Sequence, residues 1–135
     1  MDECFGYSGW KKVQKMKYFF DTYALIELTK NNPNYVNYSG SVVITTIFNL
    51  AELYYAILRD YNEERAKTIY DKFKECVNEV DDGIIFDAMK FRLKRKNQNL
   101  SYADCIGYAL AAKNNLKFLT GDKEFKDLDN VEFVK

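Results

Sequence analysis

The apolar and polar positions of the chain switch repeatedly between short strand-like runs and helical spacing. Lys17–Phe20 (KYFF) is the first such run, and after Asp21 and Thr22 the spacing turns helical over residues 23–30 until Asn31, Asn32 and Pro33 stop it. Residues 41–45 (SVVIT) are β-branched and suit a buried strand, and residues 46–59 (TIFNLAELYYAILR) follow as a helix. Residues 63–79 place Ala66, Ile69, Tyr70, Phe73 and Val77 at helical intervals with charges between them. Gly83 then punctuates, residues 84–86 (IIF) predict a short strand, and Asp87 is expected to cap a helix over 88–96. Residues 101–104 (SYAD) open a helix over 102–114, Lys117–Thr120 (KFLT) predict a fourth strand, and Gly121 and Asp122 turn into a brief helix around 124–128. Residues 131–134 can close the sheet. Strands alternating with helices indicate an α/β fold in three layers, α/β/α, with a central, mainly parallel sheet of four to five strands. The helices should cover both of its faces.

No repeat, linker or low-complexity segment interrupts this alternation, and 135 residues suffice for one continuous core. Residues 1–15 are polar and aperiodic, and Met16 falls directly before the first strand. They are therefore expected to be an N-terminal extension or a mis-assigned start, leaving residues 16–135 as the domain. No apolar run approaches the ~20 residues of a membrane span, and no signal peptide opens the chain, so a soluble, cytoplasmic protein is expected. Cys4, Cys76 and Cys105 are widely spaced and odd in number, which argues against a disulfide framework or a zinc knuckle.

The chain contains no histidine. That removes Ser-His and Cys-His nucleophile schemes and every His-ligated metal. Twenty basic and twenty acidic residues cancel, so no global field advertises a nucleic-acid partner. A basic patch beside an acidic site would also sum to zero.

Asp21 follows the first strand, Asp122 follows the fourth, and Asp104 lies in the first turn of the helix opened by Ser101. In a parallel sheet such positions border the crevice outside the carboxyl strand ends, where ligands bind. Each also suits a helix cap, and Ser101 with Asp104 has the spacing of a capping box. Glu52 is the only charged residue between Val42 and Leu58, in a helix apolar nearly all round. It must pair with Arg59, reach water, or point into a carboxylate-lined pocket, since an unpartnered buried charge is costly. Two carboxylates ~4 Å apart repel by roughly 4 kcal/mol at an effective dielectric near 20. Several in one pocket would hold protons or bind a divalent cation, and all-oxygen donors favour Mg²⁺ or Mn²⁺ over zinc. Such ions serve phosphodiester chemistry.

Four segments in order, FFDTYAL with Asp21, ITTIFNLAELYYAI with Glu52, LSYADCIGYALAAKNN with Asp104 and KFLTGDKEF with Thr120 and Asp122, resemble the PIN-domain ribonucleases, and among them the VapC-type toxins of toxin–antitoxin pairs. The resemblance spans residues 17–134. It implies a PIN-like fold and hydrolysis of single-stranded or looped RNA with Mg²⁺ or Mn²⁺. Asp21, Glu52 and Asp104 would be the core ligands, Asp122 a fourth ligand or the holder of a bound water, and Thr22 or Thr120 would support them by hydrogen bonds. It further implies a homodimer and an antitoxin laid across the cleft. Three positions depart from the family pattern: Tyr23 for a small residue, Cys105 for Ala, and Gly121 for a frequent Arg.

Lys90, Arg92, Lys94, Arg95 and Lys96 put five positive charges within seven residues. They read either as a solvated helix end that complements the dipole or as a phosphate-contact strip beside the acids. Tyr54 and Tyr55 are candidates for a dimer face or a groove for a partner helix. An RNA-processing or RNA-decay nuclease is the alternative within the family, and a catalytically silent RNA- or protein-binding module the alternative outside catalysis. An aspartyl-phosphate phosphatase would require a second Asp where Tyr23 stands, and a phosphorylated receiver an acidic pair near the first strand's end.

Overall fold

The computed structural model describes residues 16–135. The expectation for residues 1–15 therefore lies outside the described residues. Four strands, β1 (Lys17–Phe20), β2 (Val42–Ile44), β3 (Lys117–Thr120) and β4 (Val131–Phe133), form one sheet of order β2-β1-β3-β4. Every pairing is parallel. Thr45 adds an isolated parallel bridge to Val77 just beyond β2.

Successive side chains of a strand face opposite ways, and here that alternation divides the core in two. Phe20, Val43 and Leu119 join one cluster, with Leu25 of α1 (Thr22–Thr29), Leu50 and Leu53 of α2 (Ile47–Asp60) and Ala66 and Phe73 of α3 (Glu63–Phe73). Phe19 and Phe118 join the other, with Ile84 and Ala88 of α4 (Asp82–Lys94) and Ile106 and Leu110 of α5 (Tyr102–Lys113). The helices thus lie on both faces, three on one side and two on the other, as the sequence predicts. Phe19 and Phe118 stack across β1 and β3 with ring centroids 5.6 Å apart.

Each helix starts at a side chain that accepts a backbone N–H: Asp21, Thr46, Asn62, Asp81 and Ser101. The expected strand over residues 84–86 is instead part of α4, capped by Asp81 and not by Asp87. Ile84 and Ala88, one turn apart, point into the core while Phe86 faces solvent, so helical packing overrides the local β preference. The sheet accordingly has four strands, and α5 follows a helix directly. The third helix also ends sooner than its apolar spacing suggests, at Phe73, and a 3₁₀ turn over Lys74–Cys76 redirects the chain to the Val77 bridge. Among the described residues no helix is long and apolar enough to cross a membrane.

Candidate active site

From β1 the chain crosses to β2 on one side, whereas β3 lies on the other side of β1. The strand order reverses between β1 and β3, and the crevice beyond their carboxyl ends is the place where open parallel sheets bind ligands. Asp21 stands at that point and is only 1% exposed. Its N–H donates to the Leu119 carbonyl at 3.3 Å, and its Oδ1 accepts the Ala24 N–H at 2.8 Å. Its carboxyl is also hydrogen-bonded to the Thr120 side chain. Thr120 Oγ1 in turn accepts the Asp122 N–H at 3.0 Å, and Asp122 Oδ1 accepts the Glu124 N–H at 2.9 Å. Beneath them Thr45 Oγ1 donates to the Phe20 carbonyl at 2.9 Å, fastening the ends of β2 and β1 together.

Asp104 reaches the crevice from the first turn of α5. The capping box is formed in both directions: Asp104 Oδ2 accepts the Ser101 N–H at 2.8 Å, and the Asp104 N–H donates to Ser101 Oγ at 3.0 Å. Capping and a place at the crevice are therefore not alternatives for Asp21, Asp104 and Asp122; each does both.

Glu52 is half-buried on α2 and accepts a hydrogen bond from Thr22 Oγ1 at 2.6 Å. Asn49 Nδ2 donates to the same Thr22 oxygen at 3.2 Å, and Thr46 Oγ1 donates to Asn49 Oδ1 at 2.6 Å. Arg59 is turned away and pairs with Asp60, so the Glu52–Arg59 pair does not form. Asn49 is fully buried and was not among the residues expected at the site. The available signal was its place three residues before Glu52, on the same helical face.

Burial holds a proton on Asp21 up to about pH 8; the Thr120 and Ala24 hydrogen bonds oppose this, and the charges of Asp104 and Asp122 reinforce it. Burial likewise raises Asp104 to about 6, opposed by the bond to Ser101 and reinforced by Glu52 and Asp122. No cation figures among the groups acting most strongly on either. The four acids thus share one electrostatic environment at the crevice. They do not form a closed cage: among the described residues no group of three or more His, Cys, Asp and Glu side chains stands at metal-ligating spacing. The donor set nevertheless fits a hard divalent cation, being all carboxylate oxygen with its mutual repulsion unrelieved. Asp104, Asp122 and Glu52 are only partly buried, so their side chains retain the freedom to close on an ion.

Two of the departures from the family pattern interlock. A Cβ added at Gly121 would stand 2.1 Å from Tyr23 Cε1 and 2.5 Å from the Val134 carbonyl. The Tyr23 ring fills the space that a side chain at position 121 would need, so the crowding expected at the mouth of the site is directed onto Gly121. Cys105 is buried, and burial with the nearby Asp104 pushes its thiol up to about 11, so it stays protonated.

The basic run divides by face. Arg92 Nε donates to the Leu100 carbonyl at 3.3 Å, and its guanidinium lies 4.3 Å over the Tyr102 ring. Arg95 lies 5.0 Å over Phe91, whose ring stacks on Tyr108. Lys90, Lys94 and Lys96 face solvent. The end of α4 is thereby held against the start of α5, the helix that carries Asp104. Tyr54 is half-buried and packs edge-on to Tyr70, whereas Tyr55 is 62% exposed.

A family model of the PIN domain matches residues 18–131 of the chain. By sequence, no curated protein matches it. Several solved structures share the fold. Mycobacterium tuberculosis VapC20, a sarcin-ricin loop cleaving toxin, superposes with a TM-score of 0.74 at 18% identity, covering 87% of this chain and 99% of that one. Rickettsia felis VapBC2, bound to a DNA fragment from its promoter, gives 0.68 at 20% identity over 89% and 100% of the two chains. VapBC-1 of nontypeable Haemophilus influenzae gives 0.64 at 22% identity over 87% and 96%. At these identities the likeness is one of fold.

Proposed function

This chain belongs to the PIN-domain family, and from that premise we propose that it is a divalent-cation-dependent endoribonuclease, the toxin of a toxin–antitoxin pair. The observation that carries the reading is Asp21, buried at the strand-order reversal with Asp104 and Asp122 near enough to raise its proton affinity. Asp21, Glu52 and Asp104 would hold Mg²⁺ or Mn²⁺, with Asp122 as the fourth carboxylate. Such an ion supplies activated water and neutralises charge on a phosphodiester. The chain's own residues do the positioning. Thr22 and Asn49 fix the Glu52 carboxylate, Thr120 links Asp21 to the backbone of Asp122, and Ser101 sets the Asp104 side chain.

The VapC-like fold supports looped or single-stranded RNA as substrate and a cognate antitoxin as partner in the cytoplasm. A second copy of the chain is the remaining expected partner. The surface offered to antitoxin or second copy is the exposed apolar face of α2, with Ile47, Phe48, Tyr55 and Leu58. A catalytically silent RNA-binding module is the second reading, favoured by the absence of metal-ligating spacing among the described acids.

One experiment separates the two. The purified protein and Asp104→Asn are compared for Mn²⁺-dependent cleavage of a mixed pool of structured RNAs. Cleavage by the parent, suppressed by EDTA and reduced to background in the variant, is expected. Equal cutting by both would remove Asp104 from the site. If neither cuts, a Mn²⁺ titration decides: no binding by the parent leaves the silent module.

A further inference from the structure

We propose that the Arg92–Tyr102 stack, at the start of the helix that carries Asp104, is a platform for one unpaired nucleobase of the RNA. The proposal rests on the nuclease reading and names how that site selects its substrate. Tyr102 is the first residue of α5, two before Asp104, and is 60% exposed. Its ring is nonetheless held in place. The Arg92 guanidinium lies 4.3 Å over the ring centroid, and Arg92 Nε is tied to the Leu100 carbonyl, in the segment that leads into α5. A ring that has one face covered and remains mostly exposed turns its opposite face to solvent.

A fixed, open aromatic face backed by a cation is what an unstacked base needs. Bases of single strands and loops stack on aromatic rings and guanidinium planes, whereas bases within a duplex are already stacked on one another. Neither the core nor the cap explains the ring. The clusters that bury α4 and α5 do not include Tyr102, and Ser101 and Asp104 cap the helix without it. Lys90 and Lys94 project from the side of α4 opposite Arg92 and, with Lys96, are exposed, so they add positive charge near this end of the helix without lining the ring itself. The substrate class is therefore RNA with an unpaired base, held by stacking and tolerant of base identity.

The test uses the full chain in two arms. In EDTA, where cutting is expected to be suppressed, a short single-stranded RNA carrying 2-aminopurine is titrated with the parent, Tyr102→Phe, Tyr102→Leu and Tyr102→Ala. With Mn²⁺, KM and kcat are measured on an unlabelled single strand. The parent and Tyr102→Phe are expected to quench the fluorophore. Tyr102→Leu and Tyr102→Ala should lose the quench, bind roughly 10-fold more weakly and raise KM by a similar factor, with kcat within about 2-fold. Unchanged quench and KM in Tyr102→Ala, with a cleaving parent, would overturn the platform and leave the nuclease intact. Quench by the parent without cleavage would keep the platform and remove the nuclease. No RNA binding by the parent removes both.

Discussion

Asp21 shows how burial and ligand chemistry conflict within a single side chain. In the metal-free protein its carboxyl ionises near about pH 8, against about 4 in an unfolded chain. Between those values the folded protein keeps a proton that unfolding releases, so the stability that Asp21 contributes is full below about pH 4 and is lost as pH rises through about 8. Asp104 adds to the same trend over the narrower window up to about 6. A divalent cation bound at the proposed site would compete with this proton, so the stabilisation it gives would grow with pH. Thermal melts in EDTA are therefore expected to give a lower midpoint at pH 8 than at pH 5, and Mn²⁺ should raise the midpoint more at pH 8. Asp21→Asn should flatten the EDTA slope relative to the parent and abolish the Mn²⁺ shift. A parent slope no steeper than that of Asp21→Asn would count against the buried-proton account. Glu52 stood out in sequence as the one charge in an apolar helix, and Asp21, Asp104 and Asp122 by their places after strands or in the first turn of a helix. Asn49 was not, since a neutral amide inside a helix carries no such mark, and only the Thr22–Glu52 bond reveals its task.

At the scale of elements, the strands were legible where a short apolar run is bounded by turn residues, as in KYFF and KFLT. Residues 84–86 show the limit of that signal. A three-residue apolar run has no period of its own, and its assignment to α4 depends on Ile84 and Ala88 meeting a core that the sequence does not display. What places Asp104 at the crevice is equally tertiary. The helix α5 approaches the sheet at Gly107, where an added Cβ would stand 2.6 Å from Phe19 Cε1 and 2.8 Å from Cζ. Phe19 is fully buried and stacked on Phe118, so it has no room to yield. Gly107 lies one turn after Asp104, and its missing side chain fixes how close that acid comes to β1. Gly107→Ala is expected to destabilise by roughly 1–3 kcal/mol in urea unfolding, despite the ~1 kcal/mol that Ala gains in helix propensity. Gly83→Ala is the contrast, since its Cβ would make only ordinary contacts of 3.5 and 3.6 Å. It should be neutral or slightly stabilising. Equal effects at the two positions would mean that propensity, and not the close approach of α5, governs both.

At the scale of the whole molecule, a formal net charge of zero conceals a separation of signs. The acids gather at the strand-order reversal, while Lys90, Lys94 and Lys96 lie at the end of α4 that Arg92 pins beside α5. Composition could not show this, because strand order and helix pairing decide which charges become neighbours. On the proposed nuclease reading, the arrangement would let a polyanion approach a negative pocket: the lysines would offset phosphate repulsion along the path, and a cation among the carboxylates would offset it at the cut. RNA affinity measured in EDTA should therefore fall with salt, each single-strand phosphate contact adding about 0.7 to the slope of log K against log salt. Lys94→Gln is expected to lower that slope by about one such increment, and Lys94→Gln with Lys96→Gln by about two. Asp104→Asn should bind no more weakly than the parent and keep its slope, because it removes repulsion without removing a phosphate contact. If the lysine variants keep the parental slope, the strand leaves the crevice by another path, and the strip serves only as a solvated helix end complementing the dipole of α4.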